Sequence, residues 1–390
     1  LTPFGRPARA DFILDPDVVF LNNGSFGATP RLVLEAQSVW RTEMERQPVR
    51  FMARTLKPAQ QAALTRLAPL IGADSQDIVF VENPTAAINA VLGSLHLKPG
   101  DRMLCMDHGY GAVRQTLRHV AARTGAALHV LPTSWPFDDG EAFLAQIDQA
   151  MTLGTPPKIM VLDAITSPSG IRFPFEEAIA ISHRHGVPAL IDGAHAPGMI
   201  KLDLTAINAD WFTGTLHKWM FAAKGSAFLY ARRDRQGDLH PTSISHFYGE
   251  GLQSEFAWTG TRDSTAWLAL PAALDFIEAR GAEAIRAYNR NLLEQAAALL
   301  HSRLGLAPLA TPAYRGFLAS FDLGPGTPAQ ALALHDELID RHKIELPIMP
   351  LKGRMVLRIS AQIFNCLEDY QALAAALEQV DYPSRATRSR

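Results

Sequence analysis

The sequence predicts an α/β protein: a large domain built on a mostly parallel sheet, followed by a smaller α+β domain. Three observations lead there. Between residues 77 and 232 short apolar runs alternate with stretches of helical periodicity, and strands separated by helices imply crossover connections and parallel pairing. Near 258–266 the alternation stops and two long helical stretches follow. The chain has 390 residues, more than one hydrophobic core usually serves, so two domains are expected.

The elements follow in order. Residues 1–16 are rich in proline and arginine and read as an arm packed with the small domain. VVFLN (18–22) reads as a short strand and NNGSFG (22–27) as a loop. Apolar residues recur at helical spacing from Arg31 to Gln47 and from Pro58 to Ile71. DIVFVEN (77–83) is a buried strand, and PTAAINAVLGSL (84–95) is a helix opened by proline. RMLCMD (102–107) precedes a helix over 112–124, and KIMVLDA (158–164) precedes one over 175–185. VPALID (187–192), WFTGT (211–215) and KGSAFLYAR (224–232) are further strands. HRH (183–185) supplies cations at a helix C-terminus before Gly186.

The large domain is expected to span 17–262. Beyond it come helices over 267–280 and 282–304, the strand GFLASFDL (316–323), a helix over 328–341, the strand RMVLRIS (354–360) and a helix over 367–380. These make the small domain, 263–383, and residues 384–390 read as a frayed tail.

Composition excludes several classes. Hydrophobic residues make up 47%, and 37 basic residues balance 39 acidic ones, with no basic block for nucleic acid. No apolar run approaches the roughly 20 residues that span a bilayer. Cys105 and Cys366 are too few for a disulfide framework and lack metal-type spacing. The opening LTPFGRPARADF carries no signal-peptide apolar core. The expectation is a soluble cytoplasmic protein without a metal.

Two stretches carry the chemistry, LIDGAHA (190–196) and TLHKW (215–219). Asp192 ends one apolar run, and Lys218 follows another among Trp219, Met220 and Phe221. A carboxylate and an amine at strand ends of an α/β sheet can face one pocket. Pyridoxal phosphate needs that pair. The lysine forms a Schiff base with its aldehyde, and the aspartate keeps the ring nitrogen protonated so that the ring acts as an electron sink. Lys224 is a competitor for the lysine role, but it precedes Gly225 and starts a strand. His195, three residues past Asp192, can hydrogen-bond the cofactor's phenolate oxygen. Thr85 and Ala86 lie where a helix begins, and helix N-termini favour phosphate. Thr215 and His217 can reach the same phosphate. No G-x-G-x-x-G follows a strand and no G-x-x-x-x-G-K-[ST] occurs, so a nucleotide enzyme is disfavoured.

From NNGSFG through DHGYGA (107–112), AITSPSG (164–170), LIDGAHA, LHKW, AAKGSAFLY (222–230) and WTGTRD (258–263) to LRISAQIFNCLEDYQALAAAL (357–377), the chain resembles fold-type I pyridoxal-phosphate enzymes. It is similar to the class-V aminotransferases, and within them to the isopenicillin N epimerase-like branch. The resemblance implies a large domain with a mostly parallel seven-stranded sheet between helices. It makes Lys218 the Schiff-base lysine, Asp192 the partner of the pyridine nitrogen and His195 the contact of the phenolate oxygen. Thr85, Ala86, Thr215 and His217 match the phosphate cup, and Thr261 matches a residue that reaches the neighbouring subunit's phosphate. His108 or Tyr110 stacks on the ring, the spacing to Ala112 favouring Tyr110. Ser167 stands where desulfurase relatives have an asparagine near the phenolate oxygen. Arg358 matches the arginine that clamps a substrate carboxylate, a task suited to its fork, and Asn23 lies at the substrate mouth. A homodimer with shared active sites is implied.

The substrate is then an amino acid, or a conjugate that carries a free α-amino-acid group. Epimerisation, transamination and β-elimination share the common residues. Tyr110 or His108 is a candidate second acid for proton transfer on two faces. The mobile cysteine of desulfurases has no counterpart in HKIELPIMPLKGRMV (342–356), which disfavours handing sulfur to the protein and leaves a C–S lyase as the alternative. A cofactor-binding protein without catalysis is a further alternative.

Overall fold

The computed structural model describes residues 2–386. A seven-stranded sheet is formed by β2 (Ile78–Val81), β3 (Arg102–Met106), β4 (Ala127–Leu131), β5 (Ile159–Asp163), β6 (Ala189–Asp192), β7 (Trp211–Thr215) and β8 (Ala227–Ala231). Their order is β2-β8-β7-β6-β5-β3-β4. Only β8 runs against its neighbours; the other pairings are parallel. Every residue of β5, β6, β7 and β8 is buried, which is why these strands read as continuous apolar runs. Alternate residues feed two cores: Met160, Leu162 and Ile191 face one layer, and Val161, Leu190 and Leu229 the other.

Two differences from the sequence reading concern the sheet's edge. VVFLN contributes only β1 (Val19–Phe20), which pairs outside the large sheet. Its place in the count is taken by β4, which the sequence pattern leaves unassigned, as it does the helix Gly140–Thr152. As an edge strand β4 is partly exposed and carries His129, so its apolar signal is broken.

The smaller sheet orders β11 (Ile348–Leu351), β12 (Arg354–Ser360) and β9 (Leu318–Pro325) antiparallel. Between β9 and β11 lies β10 (Ile344–Glu345), the parallel partner of β1. Helices Ala282–Leu304, Pro328–His342 and Leu367–Leu377 pack on this sheet around Leu293, Phe321 and Leu373. The stretch 266–277 instead sends Trp267, Leu274 and Phe276 into the large core. The N-terminal segment is anchored through a short helical turn, Arg6–Asp11. Phe12 packs against Phe221, Phe276 and Phe364, and Arg280 bonds Asp11. Of the tail, 384–386 belong to a last helical turn, Pro383–Ala386; 387–390 lie outside the described residues.

One buried ion cluster ties helix and sheet together. Asp210 is fully buried. Its carboxylate meets Arg232 at 2.9 Å, Arg235 at 2.7 Å and His183 at 2.7 Å, and accepts from the Ala189 N–H at 2.8 Å. His183 is the first histidine of HRH, so this helix end has a specific partner. Removing the carboxylate leaves the Ala189 N–H without its acceptor and frees partners that still reach solvent. Asp210→Ala should therefore lose about 1–3 kcal/mol of stability, measured by urea denaturation followed by circular dichroism.

Candidate active site

Parallel order places several strand ends in one crevice. β3, β5, β6 and β7 all point their carboxyl ends the same way, and the chain leaves β3 to one side for β4 and leaves the adjacent β5 to the other side for β6. At such a switch point the ends diverge and open a pocket. A cavity of about 530 Å³ lies there, lined by Thr85, Tyr110, Asp163, Ser167, Asp192, His195, Thr215, His217 and Lys218, among others. That is room for a cofactor-sized ligand.

Lys218 follows β7 on the segment 216–225, which is clamped rather than free. Asn23 Nδ2 donates to the Lys218 carbonyl at 3.2 Å. Gly27, at φ +70°, lies so close that a Cβ there would fall 1.9 Å from the His217 carbonyl oxygen, so only glycine fits. The Lys218 amine is 3.2 Å from His195 Nε2. Burial and then the Arg358 guanidinium pull it down to about 7, against the opposing pull of Asp192 and Asp163. Lys224 lines the same cavity, but its side chain is exposed and bonds Thr29 Oγ1 at 3.1 Å.

Asp192 ends β6, 2% exposed. Its Oδ1 accepts from the Ala194 N–H at 3.0 Å, and burial raises its pKa. Beside it, in register on β5, stands Asp163, which the sequence reading missed. The signal was the same one that singled out Asp192, an apolar run ending in aspartate (IMVLD). Asp163 Oδ2 accepts from the Tyr110 N–H at 3.1 Å. Burial and the neighbouring Asp192 push its pKa well above the usual carboxylate range, because two adjacent carboxyls in low dielectric do not both ionise.

The structure brings some expected residues to the cavity and holds others away. Thr85 lines it, whereas the Ala86 N–H is already taken by the Asn83 side chain at 2.9 Å, which caps the helix. Tyr110 lines the cavity and is 45% exposed. His108 does not line it: fully buried, it bonds Ser169 Oγ at 3.0 Å and packs against Trp135. Burial lowers its pKa to about 4. Asn23 is buried as the clamp on Lys218, not at the mouth. Thr261 borders a separate hollow of about 890 Å³ with Met44, Met52, Phe247 and Trp258.

Arg358, on β12, is 1% exposed. Its fork reaches the Ser167 carbonyl and Oγ at 2.7 and 3.0 Å, Asn22 Oδ1 at 3.3 Å and Ser25 Oγ at 3.0 Å. All four partners are neutral, so this buried cation has no acidic counterpart among the described residues. Ser25 and Ser167 stand between it and the cavity they line.

The residues fit pyridoxal phosphate on three counts. Asp192 is a buried carboxylate suited to a ring cation. The Thr215 hydroxyl lines the cavity, buried and without a partner, ready for a phosphate oxygen. Lys218 supplies an amine that is readily freed of its proton. His217 donates Nδ1–H to the Ser226 carbonyl at 3.2 Å, so its Nε2 can donate to a phosphate only when doubly protonated; burial, with help from Lys218, lowers its pKa to about 4.

Residues 19–373 match the model of the class-V aminotransferase family. The chain is 34% identical to the isopenicillin N epimerase of Streptomyces clavuligerus, over 95% of this chain and 97% of that protein. It is 32% identical to a probable chloroplastic L-cysteine desulfhydrase of Arabidopsis thaliana, over 93% and 83%. Among solved structures it resembles the cystine C–S lyase C-DES in complex with its product cysteine persulfide. The TM-score there is 0.82 at 24% identity, over 95% of this chain and 98% of that one.

Two outcomes follow from this geometry. An amine with a pKa of about 7 gains its free base as pH rises through that value. Capture of pyridoxal phosphate should therefore accelerate up to about pH 8 and then level off. Lys218→Ala should abolish the Schiff-base absorption band of the holoenzyme and Lys224→Ala should keep it; the reverse result moves the role to Lys224. At Asp163 a raised carboxyl pKa penalises the folded state once pH exceeds it, and the penalty vanishes below the ordinary value. Asp163→Asn keeps an acceptor for the Tyr110 N–H and removes that penalty. Its melting temperature at about pH 8 should be unchanged or raised by about 2–4 °C, with no gain at about pH 4.

Proposed function

The chain belongs to the class-V aminotransferase family and is a pyridoxal-phosphate-dependent enzyme, and we propose that it moves the Cα proton of an amino acid or amino-acid conjugate as an epimerase does. When bound, the cofactor supplies the electron sink that makes that proton acidic. The observation carrying the proposal is the Lys218 amine, drawn to about 7 in the cavity that holds Asp192. A proton carrier works best when its pKa lies near the working pH. Lys218 takes the Cα proton on one face. Tyr110, the half-exposed hydroxyl lining the same cavity, is the second acid that two-face transfer requires. With the cofactor bound, Asp192 would hold the positive charge at the ring nitrogen. Arg358, a buried cation among neutral partners, orients the substrate carboxylate together with Ser25 and Ser167.

A second reading, β-elimination from a cysteine conjugate, is favoured by the likeness to an L-cysteine desulfhydrase. Neither thiol lines the cavity. Cys105 lies within β3, its pKa pushed up to about 12 by burial, and Cys366 caps the helix Leu367–Leu377. Sulfur released by this route leaves as a small molecule. The rimmed apolar hollow beside Thr261 suits a homodimer contact, which light scattering would test. No described helix is long and apolar enough to cross a membrane, and both thiols are free; a cytoplasmic setting accords with these.

Incubation in deuterated water separates the readings. Deuterium at Cα with inversion supports epimerisation, and pyruvate with sulfide or thiol supports elimination. No exchange across α-amino acids and their conjugates would sink the epimerase proposal. Lys218→Ala should lower whichever rate is found by about 10²–10⁴-fold or more.

A further inference from the structure

His195 is 1% exposed and meets one partner on each ring nitrogen. The Trp219 indole nitrogen lies 3.3 Å from Nδ1, and the Lys218 amine lies 3.2 Å from Nε2. An indole N–H only donates, so Nδ1 must accept. A neutral imidazole that accepts at Nδ1 carries its proton on Nε2. That Nε2–H points at Lys218, and the amine can receive it only through a lone pair. An ammonium there would set donor against donor.

We propose that Trp219 is a positioning residue that fixes the proton of His195 on Nε2 and, through that N–H, holds Lys218 as the free amine. The proposal rests on Lys218 being the reactive lysine. The indole has little freedom to turn away. Trp219 is 2% exposed and packs edge-on against the fully buried Phe317, 5.5 Å between centroids. Gly198, at φ +82°, admits the Trp219 backbone so closely that a Cβ would fall 2.4 Å from its carbonyl oxygen. The other groups facing Lys218 are Asp192 on β6, Asp163 on β5 and Arg358 on β12; His217, on its own segment, faces His195. The carboxyl pair favours an ammonium through whichever member is ionised, and Arg358 and the His195 N–H oppose it. Burial keeps His195 itself far from protonation. The same Nε2–H is the one donor that His195 can offer an oxygen of the bound cofactor. LHKW thus places the reactive lysine and its proton-state control side by side in the chain.

Nitrogen-15 spectroscopy of ring-labelled histidine in the holoenzyme reads the proton position directly, with His195→Gln identifying the signal. The wild type should show a protonated Nε2 and an unprotonated Nδ1 throughout about pH 6–9. Trp219→Phe keeps the aromatic packing and removes the N–H. It should allow the Nδ1-protonated form. In cofactor-free protein whose circular dichroism matches the holoenzyme, Trp219→Phe should raise the pH midpoint for capturing pyridoxal phosphate by about one unit, slowing capture near pH 7 about five-fold. In a His195→Gln background the same substitution should leave the midpoint unmoved; an equal shift in both backgrounds would mean a packing role and overturn the proposal. So would a wild-type His195 protonated on Nδ1, or a Trp219→Phe tautomer identical to wild type. Lys218→Ala separates this from the lysine assignment. If Schiff-base formation survives that change the lysine is misassigned, while the His195 signal still reports on Trp219.

Discussion

Lys218 sits where an ammonium is poorly solvated, and the chain keeps it there by its backbone rather than by an ion pair. The Asn23 amide holds its carbonyl, and Gly27 and Gly198 let two other segments lie against the loop more closely than any side chain would permit. The amine then feels Arg358 on one side and the strand-end carboxyls of β5 and β6 on the other. Its proton affinity is a balance of these groups under strong desolvation. Loosening the clamp would let the side chain reach water and return to an ordinary lysine.

The carboxyls in that balance follow from sheet topology. Parallel register sets Asp163 directly beside Asp192, so the site carries a pair that cannot comfortably hold two charges. Arg358 enters from the other sheet, through β12, and bonds the loop after β5 and the 22–25 turn. One buried guanidinium thus joins β12 to the loop after β5 and to the 22–25 turn, without an acidic partner among the described residues. Under the proposed function a substrate carboxylate would supply the missing counter-charge, which would couple recognition to the fit between the two sheets.

Much of this was legible in the sequence, and the misses have physical causes. Strands buried on both faces announce themselves as apolar runs, so β2, β3 and β5 to β8 could be read directly. The edge strand β4 could not, because half of it faces solvent. Asp192 and Lys218 stand out by their places after apolar runs, and Asp163, in register with Asp192, carries the same signature. Motif position points to Asn23 and His108, and a helix N-terminus to Ala86. Whether a motif residue points into a cavity or braces its wall depends on contacts from distant segments: Asn83 on Ala86, Lys218 on Asn23, Ser169 and Trp135 on His108. Trp219 was quoted as part of a motif, but its hydrogen bond to His195 is a property of the fold.

The balance of groups also bears on which chemistry the site is built for. Passing sulfur to the protein requires a thiolate near the substrate. A thiol held at about 12 is ionised to roughly one part in 10⁵ at neutral pH, and Cys105 lies inside the sheet. Proton transfer asks for the opposite tuning, a group that both takes and gives near neutrality. Lys218 at about 7 is half free base there, with a neutral histidine at its side and a half-exposed tyrosine on the same cavity. Epimerisation uses that tuning twice, to remove the proton and to return it. Elimination uses it once and then depends on a leaving group that the protein does not supply. Under the proposed proton transfer, the substrate has to bring whatever else distinguishes the two reactions.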